Sequence, residues 1–199
     1  MIYHGDLPDK KYQIIYADPP WPYRQFSTTK GINPKFGSVL SQYQTMTIEE
    51  IKTLGVGNVA DKKCVLFMWA TMPNLNVAFD VIKAWGFIYK TCAYTWVKLN
   101  PLGVGIYSGM GHWTNGNAEL CLLATKGEWP KRVVKNSKQI QMWPRGKHSA
   151  KPPEIRQEIT RFMGNIPRIE LFARQETEGW DCWGNELVAD TPLLQAVNV

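Results

Sequence analysis

The chain has 199 residues, 44% of them apolar and 20% charged, with a formal net charge of +6. That length suits one domain, 1–199, with a core from about 12 to 187 and a frayed tail, and that apolar share excludes a disordered chain. Neither a signal pattern nor a membrane-length apolar run is evident, so a soluble, cytoplasmic protein with no membrane partner is expected.

The positive balance favours a polyanionic partner, although a surface built for solubility would look the same. Nine tryptophans exceed what a core of this size needs and suit stacking on bases. Cys64, Cys92, Cys121 and Cys182 are widely spaced, with only His4, His112 and His148 beside them. Free thiols and no metal site are the expectation.

Residues 1–11 read as a short polar lead-in. Tyr12–Ala17 is an apolar run that predicts a buried strand, and it ends in Asp18-Pro19-Pro20-Trp21. Ligands collect at the carboxyl ends of strands in open α/β sheets. Pro-Pro behind an acid also makes a plain stiff turn. With the added flat ring, the stretch fits methylation of an exocyclic amine on a base. Such an amine is a poor nucleophile because its lone pair is delocalised into the ring. A carboxylate and a backbone carbonyl that accept its two N–H groups pull the nitrogen toward tetrahedral geometry. Asp18 supplies the first acceptor and the Pro19 carbonyl, held by the fixed φ of Pro20, the second. Trp21 offers a face for the base, a contact worth about 1–3 kcal/mol.

Residues 24–45 show no period and predict a long loop, with Lys30 and Lys35 either near phosphate or simply solvated. Thr47-Ile48-Glu49-Glu50 has the capping-box pattern, so a short helix runs to about Leu54. A second buried strand covers 63–70. Pro73 opens a helix whose apolar side chains, Leu75 to Trp85, follow one face until Gly86. Residues 87–98 and 118–125 read as strands. Between them, 99–117 carries five glycines, and its Gly111-His112-Trp113 either sandwiches a base or plugs the loop.

The segment 126–147 concentrates the positive charge around Trp129 and Trp143. Basic residues with interleaved aromatics suit a nucleic-acid contact, and equally a solvated surface with two docked rings. Lys151 begins a helix, Pro152 to Phe162, where its charge opposes the helix dipole. An anion docked there, such as a methionine carboxylate, gives it a purpose; an exposed lysine is the plain alternative. Residues 168–174 form the last clear strand. The polar and aromatic run Gly179–Glu186 suits an adenosine pocket. Strands alternating with helices predict an α/β fold with a mixed, mostly parallel sheet and helices on both faces. No GxGxxG or phosphate-loop lysine motif occurs.

DPPW after an apolar strand, Gly-His-Trp, His-Ser-x-Lys-Pro before a helix, and Glu-Leu-Phe-x-Arg followed by Gly-Asn-Glu occur in one order. That order resembles the S-adenosylmethionine-dependent adenine N6-methyltransferases typified by the messenger-RNA adenosine methyltransferase, including small bacterial and phage members. The resemblance implies a Rossmann-like methyltransferase fold in permuted order, with the catalytic strand first. It implies catalytic roles for Asp18, Pro19, Pro20 and Trp21. It implies cofactor contacts from Asp18, Lys151, Phe172, Arg174, Asn185 and Glu186, and acceptor contacts from Trp21, Tyr43, His112 and Trp113. Larger members carry a further strand before DPPW with an acid that helps hold the cofactor. Only eleven residues precede Tyr12, so that strand is expected to be missing.

The expected activity is methyl transfer from S-adenosylmethionine to the N6 amine of adenine in nucleic acid, with DNA favoured. RNA methylation, cytosine N4 methylation and a silent nucleic-acid-binding subunit are the alternatives. A homodimer is compatible with so small a chain.

Overall fold

The computed structural model describes residues 2–3, 5–22, 45–109, 111, 113–146, 150–185 and 187. Tyr43, His112 and Glu186, named above as site residues, lie outside the described residues, as do Lys30, Lys35 and His148.

Eight strands form one sheet: β1 (Ile2–Tyr3), β2 (Tyr12–Ala17), β3 (Ala60–Ala70), β4 (Ile88–Leu99), β5 (Ala118–Lys126), β6 (Ile140–Pro144), β7 (Arg168–Leu171) and β8 (Asp181–Trp183). Their order is β1-β8-β7-β2-β3-β5-β4-β6. From β1 to β3 every pairing is parallel; β5 runs antiparallel to both β3 and β4, and β6 pairs parallel with β4. This is the mostly parallel α/β sheet of a Rossmann-like methyltransferase fold. Strand β2 sits near its middle, which is why Tyr12, Ile14, Ile15 and Ala17 are wholly buried: a strand covered on both faces is apolar throughout.

Helices cover both faces. On one side lie α1 (Ile48–Thr53), α2 (Val56–Val59) and α3 (Leu75–Ala84). Thr47 and Glu50 close the capping box of α1 reciprocally, and a 3-10 turn over Met72–Asn74 leads into α3. Ile51, Val56, Val81, Ile82 and Trp85 pack with Leu66, Met68 and Leu122 of the sheet. Trp85 also donates its indole N–H to the Ile51 carbonyl at 2.8 Å, which ties α3 to α1. On the other side α4 (Pro153–Met163) sets Ile155, Ile159 and Met163 against Tyr16, Val65, Phe67 and Leu123.

Three strands depart from the sequence reading: besides β1 and β6, β8 lies within the run Gly179–Glu186 read as a pocket, beyond a strand that ends at Leu171 and not at Arg174. The lead-in contains β1, which pairs with β8 through Ile2↔Cys182 and Tyr3↔Trp183; the strand expected to be missing is present, shortened to two residues. The basic segment contains β6 at the opposite edge. Its exposed Ile140 and Met142 and terminal proline are edge-strand features, and they blur the alternation that would announce it. Cys64, Cys121 and Cys182 are buried free thiols, and Cys92 is half-buried. Among the described residues no helix is long and apolar enough to cross a membrane.

Candidate active site

Five neighbouring strands point the same way, so the residues that follow them share one end of the sheet. Gly5 and Asp6 follow β1, Asp18 follows β2, Phe172 to Arg174 follow β7, and Gly184 and Asn185 follow β8. Residues from opposite ends of the chain thereby reach one rim. Glu119 joins them from the antiparallel β5: Leu120 pairs with Ala70 at the tip of β3, and Glu119 lies one step beyond.

Asp18 turns its carboxylate to this rim. Its Oδ2 accepts a hydrogen bond from Lys151 Nζ at 2.7 Å, and its side chain keeps 22% of its surface exposed. Lys151 also stands 3.2 Å from Glu119 Oε2, and Lys98 Nζ holds Glu119 Oε1 at 2.5 Å. Two ammonium groups and two carboxylates thus alternate along one line. Lys151 lies over the Trp69 ring at 5.5 Å and Lys98 over the Trp96 ring at 5.2 Å, contacts that favour a cation. Trp69 is fixed in turn by donating its indole N–H to the Tyr16 hydroxyl.

The charges respond to burial and to one another. Burial raises the Asp18 pKa; the Lys151 charge opposes that rise, and Glu119 adds to it. Burial pushes Glu119 up too, but Lys151 and Lys98 together overcome this and hold it below the usual carboxylate range. Burial would lower Lys151, yet its two carboxylate neighbours raise it. The lysine therefore stays charged, and Asp18 is the acid whose proton is held more tightly than normal. Glu119 Oε2, close to Lys151 but without hydrogen-bond geometry, is a buried acceptor with no hydrogen-bond partner.

The DPPW turn is rigid in a specific way. The Pro19 carbonyl accepts from the Trp21 backbone N–H at 2.8 Å, and the Pro20 carbonyl from Met46 at 3.1 Å. A carbonyl has two lone pairs, so Pro19 retains one acceptor site. Trp21 is packed rather than open: it is 8% exposed, belongs to the core, and donates its indole N–H to the Trp69 carbonyl at 3.0 Å. A base would meet only its remaining edge. Trp113 stands at the other extreme, 92% exposed, on a hairpin bridged between Gly109 and Gly116. Gly111 is obligatory in that hairpin, since a Cβ there would lie 1.9 Å from the Thr114 carbonyl oxygen.

At the β7–β8 side, Phe172 has φ 61°, the only non-glycine with positive φ among the described residues. This conformation costs about 1–2 kcal/mol, and such strain gathers at functional sites. It is held by the edge-on Phe172–Trp183 contact at 5.5 Å and by the Ala173 N–H to Trp183 carbonyl bond. Gly184 follows against Ala173, where a Cβ would come within 2.2 Å of the Ala173 oxygen. Asn185, exposed, follows this close pass by one residue, and the Arg174 charge is felt by Asp18.

Two acids placed toward this rim, Glu119 and Asp6, are absent from the sequence reading. Glu119 carried a faint signal, a single acid on the inward face of the apolar run AELCLLAT. Asp6 carried none, because its position depends on β1. It lies exposed just past that strand, where the Trp183 indole anchors the preceding Gly5 carbonyl at 2.8 Å.

A permuted α/β sheet whose strand tips gather an acid, a lysine, a strained aromatic and an asparagine defines a Rossmann-like methyltransferase. The chain belongs to the MT-A70 family, whose model matches residues 12–186. It is 38% identical to the Type II methyltransferase M.MunI of Mycoplasma sp over 195 residues, covering 91% of this chain and 80% of that one. It is 30% identical to the N(6)-adenosine-methyltransferase MT-A70-like protein of Drosophila melanogaster and 28% to the human N(6)-adenosine-methyltransferase catalytic subunit METTL3. In each case 89% of this chain is covered, against 27% and 28% of the relatives' lengths.

Proposed function

We propose that this enzyme transfers a methyl group from S-adenosylmethionine to the N6 amine of adenine in nucleic acid, with DNA as the favoured strand. The observation that carries the reading is Asp18, a carboxylate on a rigid turn at the central strand tip, paired with Lys151 and still open to solvent on one side. Membership of the MT-A70 family and likeness to N6-adenosine methyltransferases support the adenine amine. DNA is favoured because the type II methyltransferase, a relative of similar length, is matched at higher identity than the adenosine methyltransferases.

The residues at the rim fit this methyl donor. Lys151 answers the carboxylate of its methionine part, and Asp18 its amine. Asn185 and the strained Phe172 suit its ribose and adenine, with Arg174 beside them. Asp6, past β1, is a hydrogen-bond acceptor suited to an adenine amine. When bound, S-adenosylmethionine supplies an electrophilic methyl on a sulfonium.

The chain's own groups prepare the acceptor. Asp18 accepts one N–H of the adenine amine and the open lone pair of Pro19 accepts the other, which frees the nitrogen lone pair. Trp21 fixes the turn from behind through its bond to Trp69. The gain lies in holding the amine in line with the donor, and no covalent intermediate forms on the protein. In duplex DNA the adenine must leave the stack, at a cost of a few kcal/mol. Trp113 on its exposed hairpin, with Tyr43 and His112, is assigned to receive it.

Methyl transfer to matched adenine-containing and adenine-free DNA and RNA oligonucleotides, read by nucleoside mass spectrometry, tests the proposal. N6-methyladenine in DNA is the expected product; N4-methylcytosine, or equal transfer to adenine-free strands, overturns it.

A further inference from the structure

The basic segment that sequence alone left between a nucleic-acid contact and a solvated surface folds over a cavity. After β5, Gly127 turns the chain at φ +63°, where a Cβ would lie 2.1 Å from the Lys62 carbonyl oxygen. The chain then crosses the α4 side of the sheet and encloses about 610 Å³, within the range of small-molecule sites. Leu123 lies at the floor, Phe162 of α4 on one wall, and Trp129, 59% exposed, at the mouth. Lys131, Arg132 and Lys135 also line it.

These cations differ from those at the rim. Among the described residues none of the three forms an ion pair with a carboxylate. The nearby acids are already engaged: Glu128 by Lys63 at 2.6 Å, and Glu158 by Arg161 and Ser137, each at 2.6 Å. Arg132 lies 5.7 Å from the Phe162 ring centre and Lys90 5.8 Å from that of Trp129. An apolar hollow with an open indole and three uncompensated cations is complementary to a flat aromatic group that carries a phosphate.

We propose that this cavity is a second nucleotide site, with the base against Trp129 and its phosphate on Lys131, Arg132 and Lys135. Val65, Phe67 and Trp69 alternate along one face of β3, so the cavity opens on the same face as the Asp18 site. Val65 stands four residues from Trp69, about 13 Å along the strand, or roughly four nucleotides of a B-form strand. A flanking nucleotide of the substrate strand is the favoured source, and this part rests on the reading above. A free nucleotide has the same chemistry.

Binding of oligothymidylate and of thymidine monophosphate is measured by titration calorimetry for the full chain. The variants are Trp129→Ala, Trp129→Phe and the triple Lys131→Ala/Arg132→Ala/Lys135→Ala. All four positions are exposed, so unchanged thermal midpoints are expected. For a strand, Trp129→Ala weakens oligothymidylate about tenfold, Trp129→Phe restores much of it, and the triple variant lowers the salt slope by about 2. A free-nucleotide site shows the same losses with the monophosphate. Unchanged affinity for both ligands in Trp129→Ala and the triple variant overturns the proposal. The ligands lack adenine and no methyl is transferred, so failure here leaves the methyltransferase reading standing, and the reverse also holds.

Discussion

Two groups of cations on one face of the same sheet behave in opposite ways. Lys98 and Lys151 are mostly buried, each within 3.2 Å of a carboxylate, and each lies over an indole ring. Lys131, Arg132 and Lys135 stand exposed around a cavity with no carboxylate partner among the described residues. Where charges are compensated in a poorly solvated place they set geometry and proton affinity. Where they are uncompensated and exposed they are available to an anionic ligand. The formal charge of +6 counts both groups alike, although only the second carries a net field.

The contrast is broken most sharply at Asp18. Asp18→Ala is expected to lower kcat/KM about a thousandfold, near 4 kcal/mol, the scale of an acceptor that acts mainly in the transition state. Calorimetric affinity for S-adenosylmethionine should fall far less. Glu119→Gln comes next, because Lys98 and Lys151 both depend on that carboxylate. A loss of about 3 kcal/mol in urea-induced unfolding is expected, and an unchanged midpoint would show that the line of charges contributes nothing to the fold. Lys151→Ala should weaken cofactor binding by about 2 kcal/mol, the scale of a hydrogen bond to a charged group, with calorimetry as the check.

A pH profile sharpens the same point. Asp18 must be ionised to accept the amine, and burial raises its pKa. Activity should therefore appear, as pH rises, above the value of an ordinary aspartate. Glu119 adds to that rise, so Glu119→Gln should move the acid limb to lower pH. For stability the sign is opposite at Glu119 itself, whose pKa is lowered. Its contribution is present above the ordinary glutamate value of about 4.3 and is lost as pH falls through the folded value. Lys63→Ala, which breaks an exposed pair with Glu128, should leave the unfolding midpoint unchanged.

Much of this was legible from local signals. Tyr12–Ala17 declared a central strand because burial on both faces leaves no polar alternation, and DPPW at its tip declared the site. Thr47 and Glu50 declared a helix start by a bond they make within one turn. The features that stayed hidden depend on contacts remote in sequence. Strand β1 is two residues whose identity as a strand comes only from pairing with β8. Strand β6 lies at an edge, where burial does not enforce a pattern. Glu119 reads as one polar residue in an apolar run until Lys98 and Lys151 arrive from β4 and the start of α4. Trp21 gave a partial reading: it belongs to the catalytic turn, but its indole faces Trp69 and the core.

The most direct test of the account is methyl transfer by the wild-type chain and by Asp18→Ala, side by side, to an adenine-containing DNA oligonucleotide with labelled S-adenosylmethionine. Wild-type enzyme should yield N6-methyladenine, and the variant should yield almost none while it still binds the cofactor. Wild-type turnover by Asp18→Ala would contradict the account.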